Sequence, residues 1–307
     1  MKLPDSQRLR GLVAATHTPF HPDGSINLPI IEKQCGHLLA NKVTNVFIGG
    51  TTGESSSLLL NERRALAQCW MEITRGTAMR VVVHVGSNSL ADARMLAAEA
   101  EQYGAHAIAA LSPSYFKPRS LDSLIACAAD VAVAAPATPF YFYDIPSMTG
   151  VSFPMCDLLA QASERIPTLA GIKFTNSDLM SLQLCLRADG GAWDVPFGCD
   201  EFLLAALSLG ATGAVGSTYN FAAPIYHRII AAFEKGDMAA ARAEQFRSVQ
   251  LVQLLTGVGF MGAAKAVMGM LGVEVGPARL PNGNPTPDQI AALRRSLETM
   301  GFFDWIR

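Results

Sequence analysis

The lysine at position 173 ends an apolar run, Leu169-Ala170-Gly171-Ile172-Lys173-Phe174-Thr175, that reads as a buried strand. A charged amine in such a place costs several kcal/mol unless it is paired or gives up its proton. A neutral lysine amine attacks carbonyl carbon, so this position suits a Schiff-base nucleophile. The competing reading is a lysine at an exposed strand end, or one in a structural ion pair. Lys265, on an amphipathic stretch nearer the C-terminus, is a rival nucleophile. Tyr143 follows Phe140-Tyr141-Phe142 and shares strand parity with Tyr141 alone, so both phenols point to one face. A tyrosine beside an imine can relay protons between substrate oxygen and carbon.

Other polar groups recur in similar places. The turn Gly49-Gly50-Thr51-Thr52-Gly53-Glu54-Ser55 offers hydroxyls and closely spaced backbone N–H groups to a small anion. It lacks the lysine and spacing of a nucleotide P-loop. Asp200-Glu201 can accept hydrogen bonds from a polyol, or simply open the helix that follows. Ser217 can orient a hydroxyl or carboxylate, or cap the next helix. Gly171 beside Lys173 is expected to leave room for a small substrate, and Leu169 shares its strand parity. The run Gly257–Gly262 spells G-x-G-x-x-G but follows no strand, which rules out a dinucleotide fingerprint. His17 and His21 straddle Pro19, and no His/Asp/Glu set has metal-ligand spacing. His84 reads as a core histidine.

These residues need a frame that brings them to one end. Short apolar runs at 11–16, 45–49, 80–85, 106–111, 139–144, 169–174, 195–198 and 212–216 read as strands. Amphipathic stretches near 28–41, 61–75, 89–103, 121–135, 154–164, 178–187, 200–209 and 222–235 alternate with them. Eight β-then-α units predict a (β/α)8 TIM barrel of the α/β class. Each polar constellation lies just after a strand, at the rim where barrel chemistry resides. The barrel is expected over 1–235. Helical patterns at 238–256, 258–271 and 287–300, split by the Pro/Gly-rich segment 276–286, form a C-terminal helical appendage over 236–307.

Of the 307 residues, 50% are hydrophobic and 16% charged, with a formal net charge of -2. No basic stripe favours nucleic acid. Six scattered cysteines without a C-x-x-C pair suggest a reducing compartment. The N-terminal apolar run is too short for a signal peptide, and no stretch is long enough for a bilayer. A soluble, cytoplasmic chain without membrane contact is expected.

Taken together, the motifs GGTTGES (49–55), YDIPSMTG (143–150), GIKFT (171–175), FGCDE (197–201) and GATGAVGSTYN (210–220) resemble those of the N-acetylneuraminate lyase/dihydrodipicolinate synthase superfamily of class I aldolases. The resemblance runs from Gly11 to the segment Gly276–Pro281. The GSTYN ending and the Asp-Glu pair are similar to the lyase branch. The synthase branch carries an arginine where this chain has Met148. The resemblance implies that Lys173 forms the imine and Tyr143 moves the proton at the C4 hydroxyl. It implies that Thr51 and Thr52 bind the pyruvate carboxylate, and that Gly198, Asp200, Glu201 and Ser217 meet the sugar. Tyr115 matches a tyrosine that in some members enters a neighbour's site, though Ser114 departs from the aromatic often preceding it. Asp144 stands where many bacterial members have asparagine, and Thr51 where lyases often have serine. The implied reaction is reversible cleavage of N-acetylneuraminate to pyruvate and N-acetylmannosamine by a homotetramer, with no metal and no cofactor. Alternatives are an aldolase or dehydratase for another 2-keto-3-deoxy sugar acid or hydroxy-oxo-acid, dihydrodipicolinate synthase, and a non-catalytic sugar-acid-binding barrel.

Overall fold

The computed structural model describes residues 1–307. Seven strands, β1 (Gly11–Ala15), β2 (Asn45–Ile48), β3 (Arg80–His84), β4 (Ala107–Leu111), β5 (Phe140–Asp144), β6 (Leu169–Phe174) and β7 (Gly213–Gly216), form one parallel sheet. Their order is β6-β5-β4-β3-β2-β1-β7. Helices join successive strands, as parallel pairing requires. Several begin at the side-chain caps their sequences offer: Ser89, Ser120 and Asp178 accept from the backbone N–H three residues on.

The eighth strand expected at 195–198 is not a regular strand. Asp194 and Phe197 instead form isolated parallel bridges to Gly171, Phe174 and Ala214. Pro196 has no N–H to donate, which interrupts the ladder. The segment still closes the ring. Phe174 N–H donates to Pro196 O at 2.9 Å and Gly198 N–H to Phe174 O at 2.7 Å on the β6 side. On the β7 side Phe197 N–H donates to Gly213 O at 2.9 Å and Val215 N–H to Phe197 O at 2.8 Å.

Strand parity sorts the side chains. Phe140 and Phe142 join the outer core between sheet and helices, whereas Tyr141 and Tyr143 join an inner cluster with Phe47, Val82, Ala109 and Val215. Tyr141 lies deep in the lumen, where its hydroxyl donates to Asp194 Oδ2 at 2.6 Å. On β6 the alternation breaks. Leu169 faces the outer core and Ala170 the inner one, with a register irregularity beside Phe140/Tyr141. Leu169 therefore does not share a face with Lys173, contrary to the simple parity expectation. The volume that Gly171 leaves is not for substrate either. A Cβ there would stand 1.7 Å from the Asp194 carbonyl oxygen, so the closing segment already fills that space.

The last barrel helix, 219–234, starts earlier than the amphipathic pattern indicates, with non-helical dihedrals at Ala222 ahead of Pro224. Helices 238–258, 260–270 and 287–299 follow, with a short turn of helix at 302–305. No single helix is long and apolar enough to cross a membrane.

Candidate active site

Lys173 and Tyr143 are register partners on β6 and β5, so both enter the lumen at one level. Lys173 Nζ lies 3.4 Å from the centroid of the Tyr143 ring and 4.5 Å from that of Phe47. The residue is 4% exposed and forms no ion pair. Burial drives its amine well below the usual lysine range, and the Asp200 carboxylate opposes that only in part. The aromatic faces offer quadrupolar attraction to a cation, but no acceptor for its hydrogens.

Lys265 solves the same problem the other way. It is 1% exposed, and its Nζ pairs with Glu54 Oε1 at 2.6 Å. It also donates to Thr18 O at 3.0 Å and Pro277 O at 2.9 Å. All three hydrogens are engaged, so Lys265 holds structure together and is not free to attack a carbonyl.

The threonine turn ties two sides of the lumen. Thr51 Oγ1 is 3.2 Å from Tyr143 OH, and Thr52 Oγ1 is 2.6 Å from Ser217 Oγ. Burial pushes the Tyr143 phenol up to about 12, against the pull of the Thr51 hydrogen bond. Glu54 anchors the turn from behind. It sits in the left-handed region at φ 55°, and its Oε2 accepts from Arg279 N–H at 2.8 Å and Asn282 Nδ2 at 3.2 Å.

Beside this group opens a cavity of about 640 Å³ lined by Thr175, Asn176, Gly198, Asp200, Glu201 and Ser217, among others. Asp200 is 6% exposed, and burial lifts its carboxyl to about 7, against the hydrogen bonds from Thr218. Neither Asp200 nor Glu201 caps the helix 203–209; Gln245 Oε1 takes the Leu204 N–H at 2.8 Å. Ser217 does not cap the next helix either, because its hydroxyl is turned to Thr52. Seven of the expected positions thus converge: Lys173, Tyr143, Thr51, Thr52, Asp200, Ser217 and the backbone at Gly198, with Glu201 on the cavity wall. Tyr115 stands apart. It is 79% exposed, its ring packs on Phe116 at 5.0 Å, and its N–H donates to Asn88 Oδ1.

A smaller cavity of about 280 Å³ lies on the other side of Thr51 and includes His84 and Met148. His84 Nδ1 bonds Gly49 O at 2.9 Å, and burial holds the ring well below its ordinary pKa, hence neutral. It is a core histidine packed edge-on to Tyr143. No group of three or more His, Cys, Asp or Glu side chains is placed to share a metal ion.

Three participants escaped the sequence reading. Thr175 lines the large cavity two residues after Lys173, and its buried hydroxyl completes no hydrogen bond of good geometry. Strand parity alone could have flagged it. Val252 and Phe260 reach the cavity from the C-terminal helices, and nothing local to their sequence signals that.

The dihydrodipicolinate synthetase family model matches residues 8–300. The chain belongs to that family. Among its relatives, the N-acetylneuraminate lyase of Gallus gallus is 41% identical over 298 residues, covering 96% of this chain and 97% of that one. The N-acetylneuraminate lyase of Mus musculus is 40% identical, covering 96% of this chain and 94% of that one. The solved N-acetylneuraminate lyase of Proteus mirabilis superposes with a TM-score of 0.92 at 38% identity, covering 95% of this chain and 98% of the other. The family's barrel with added C-terminal helices accounts for the whole architecture described above.

Proposed function

We propose that this chain is a carbon–carbon lyase, a class I aldolase that cleaves N-acetylneuraminate reversibly to pyruvate and N-acetylmannosamine. The observation that carries the reading is an unpaired, desolvated amine, Lys173, 3.4 Å from the ring of Tyr143 and two residues before Thr175, which lines a polyol-sized polar cavity. The similarity to N-acetylneuraminate lyases over nearly the full chain supports the substrate.

In this mechanism Lys173, neutral as burial makes it, adds to the C2 carbonyl, and loss of water gives an iminium. Thr51, Thr52 and the amides of their turn hold the carboxylate. Tyr143 gives its phenolic proton to the hydroxyl that departs as water in that dehydration, and as phenolate it then takes the proton of the C4 hydroxyl while the C3–C4 bond breaks into the iminium. The products of that step are an aldehyde and an enamine. Protonation of the enamine at C3 and hydrolysis release pyruvate and return Lys173. With a pKa near 12 the phenol is almost wholly protonated at rest, yet the iminium charge arises next to its ring and favours the phenolate. Glu201, Asp200, Ser217 and the Gly198 carbonyl receive the sugar's hydroxyls. Methionine at 148, where synthases carry an arginine, leaves no clamp for a second carboxylate.

The family resemblance extends the proposal to a cytoplasmic homotetramer needing neither metal nor organic cofactor, with Tyr115 available to a neighbour's site. It also divides the chain into the barrel, 1–235, and an extension, 236–307, packed on it. Borohydride reduction in the presence of pyruvate, followed by intact mass and peptide mapping, tests the nucleophile. An adduct on Lys173 is expected; no adduct, or one on Lys265, refutes the assignment. Steady-state cleavage of a panel of 2-oxo-3-deoxy acids tests the substrate, and preference for a short acid over N-acetylneuraminate overturns it. Lys173→Ala should abolish turnover. Tyr143→Phe should lower kcat by roughly 10²- to 10⁴-fold while the adduct still forms.

A further inference from the structure

Asp200 is held by more than its own turn. Its Oδ2 accepts the Thr218 N–H at 2.8 Å and lies 2.6 Å from Thr218 Oγ1. Thr218 Oγ1 is also 2.6 Å from Tyr226 OH, which is 2.8 Å from Ser248 Oγ. Ser248 Oγ returns to the Asp200 main-chain oxygen at 3.3 Å. Thr218, Tyr226 and Ser248 are all fully buried. These contacts close a polar ring through the turn at 200–202, the helix 219–234 and the helix 238–258. Gln245, three residues before Ser248, donates to the same Asp200 oxygen at 3.2 Å.

Hydrogen accounting shows what the ring does. Each hydroxyl has one hydrogen to give. While Asp200 is ionised its oxygens only accept, so Thr218 donates to it, Tyr226 to Thr218, and Ser248 to Tyr226. With a proton on Oδ2 every donor turns round, and Ser248 donates to the Asp200 carbonyl. Both arrangements leave each hydroxyl partnered, so the carboxyl keeps its place in either state. Oδ1 has no partner within the chain, and Asp200 lines the large cavity. Gly216 permits this placement, because a Cβ there would stand 2.0 Å from Oδ1.

We propose that Tyr226 and Ser248 are positioning residues for substrate selection: through Thr218 they fix the Asp200 carboxyl so that Oδ1 meets a hydroxyl at the polyol end of the sugar acid, beside Glu201. Neither side chain touches substrate. The inference rests on the cleavage activity proposed above, and it makes the first helix after the barrel part of the specificity apparatus.

Steady-state cleavage by Tyr226→Phe, Ser248→Ala and Ser248→Thr, with thermal melts, tests it. Tyr226→Phe is expected to raise KM for N-acetylneuraminate about tenfold, the cost of one misplaced hydrogen bond, with kcat within about threefold. Ser248→Ala should shift KM the same way, and Ser248→Thr, which restores the hydroxyl, should return it. A 4-hydroxy-2-oxo acid without a polyol tail, and borohydride trapping of pyruvate, should show no difference among the proteins. Should Tyr226→Phe fail to fold, the Ser248 pair decides. A wild type that cleaves N-acetylneuraminate, with folded variants of unchanged KM, refutes the inference alone. So does a parallel fall in kcat and pyruvate trapping, which signals general loosening. A wild type that traps pyruvate but cleaves no sugar acid refutes the proposed substrate, and this inference with it.

Discussion

Replacing Asp200 by asparagine should stabilise the protein at alkaline pH. The native carboxyl is lifted from 3.8 to about 7, chiefly by burial. Between those pH values the folded chain holds a proton that the unfolded chain has released. Stability therefore falls as pH rises through that window and levels off above about 7. A gap of that size corresponds to roughly 4 kcal/mol at pH 8. Asparagine is nearly isosteric, carries no charge, and keeps an oxygen to accept the Thr218 N–H. Relative to wild type, Asp200→Asn should gain little at pH 4 and about 2–4 kcal/mol at pH 8, after loss of the charge-assisted hydrogen bonds. Urea unfolding at several pH values and one protein concentration measures this, because other titrating groups cancel in the difference. A difference between the two proteins that stays constant from pH 4 to 8 would refute the reasoning. Asp200 also holds the Lys173 pKa up, so the substitution should move the pH profile of imine formation to lower pH.

For the wild type, the pH dependence of pyruvate trapping should rise through the depressed Lys173 pKa and level off well below pH 10.5, since only the neutral amine adds; a rise that continues to the ordinary lysine range would contradict the burial argument. Gly171→Ala should unfold the barrel's closure or cost more than about 4 kcal/mol in chemical denaturation, because a methyl cannot share 1.7 Å with the Asp194 oxygen; a near-wild-type midpoint would refute it. Lys265→Met should cost about 3–5 kcal/mol by stranding Glu54, while Glu54→Gln/Lys265→Met recovers most of the loss. Equal loss in the single and double variants would show that the pair's charge is not what matters.

Much of this was legible in the residue pattern. Parity on β5 separates Tyr143 from Phe142, and the apolar run around Lys173 marks a buried amine. The rim rule then collects Thr51, Thr52, Asp200 and Ser217 at one end of the barrel. What escaped depends on contacts distant in sequence. The irregularity at Ala170 reverses Leu169, and only the approach of the Asp194 backbone explains why 171 is glycine. The segment 195–198 has the apolar character of a strand, but Pro196 cannot complete its ladder. Asp200 could be read as a polyol acceptor or a helix opener, and only Gln245, some forty residues on, shows that the helix 203–209 is capped by another side chain.

The two buried lysines show why burial alone could not have identified the nucleophile. Lys173 and Lys265 are 4% and 1% exposed, and burial lowers the pKa of both. An ammonium in such a site is tolerable when an anion and enough acceptors surround it. Glu54, Thr18 and Pro277 supply them for Lys265, so its charge can persist and its lone pair is withheld. Lys173 has two aromatic rings and no carboxylate in contact, so losing the proton is the less costly state. Reactivity therefore follows from what is missing around Lys173. A carboxylate introduced at Phe47, whose ring lies 4.5 Å from Nζ, would supply a partner. Phe47→Glu should then suppress pyruvate trapping at neutral pH and restore it at higher pH; trapping unchanged at neutral pH would mean that the missing counter-charge is not what keeps Lys173 nucleophilic.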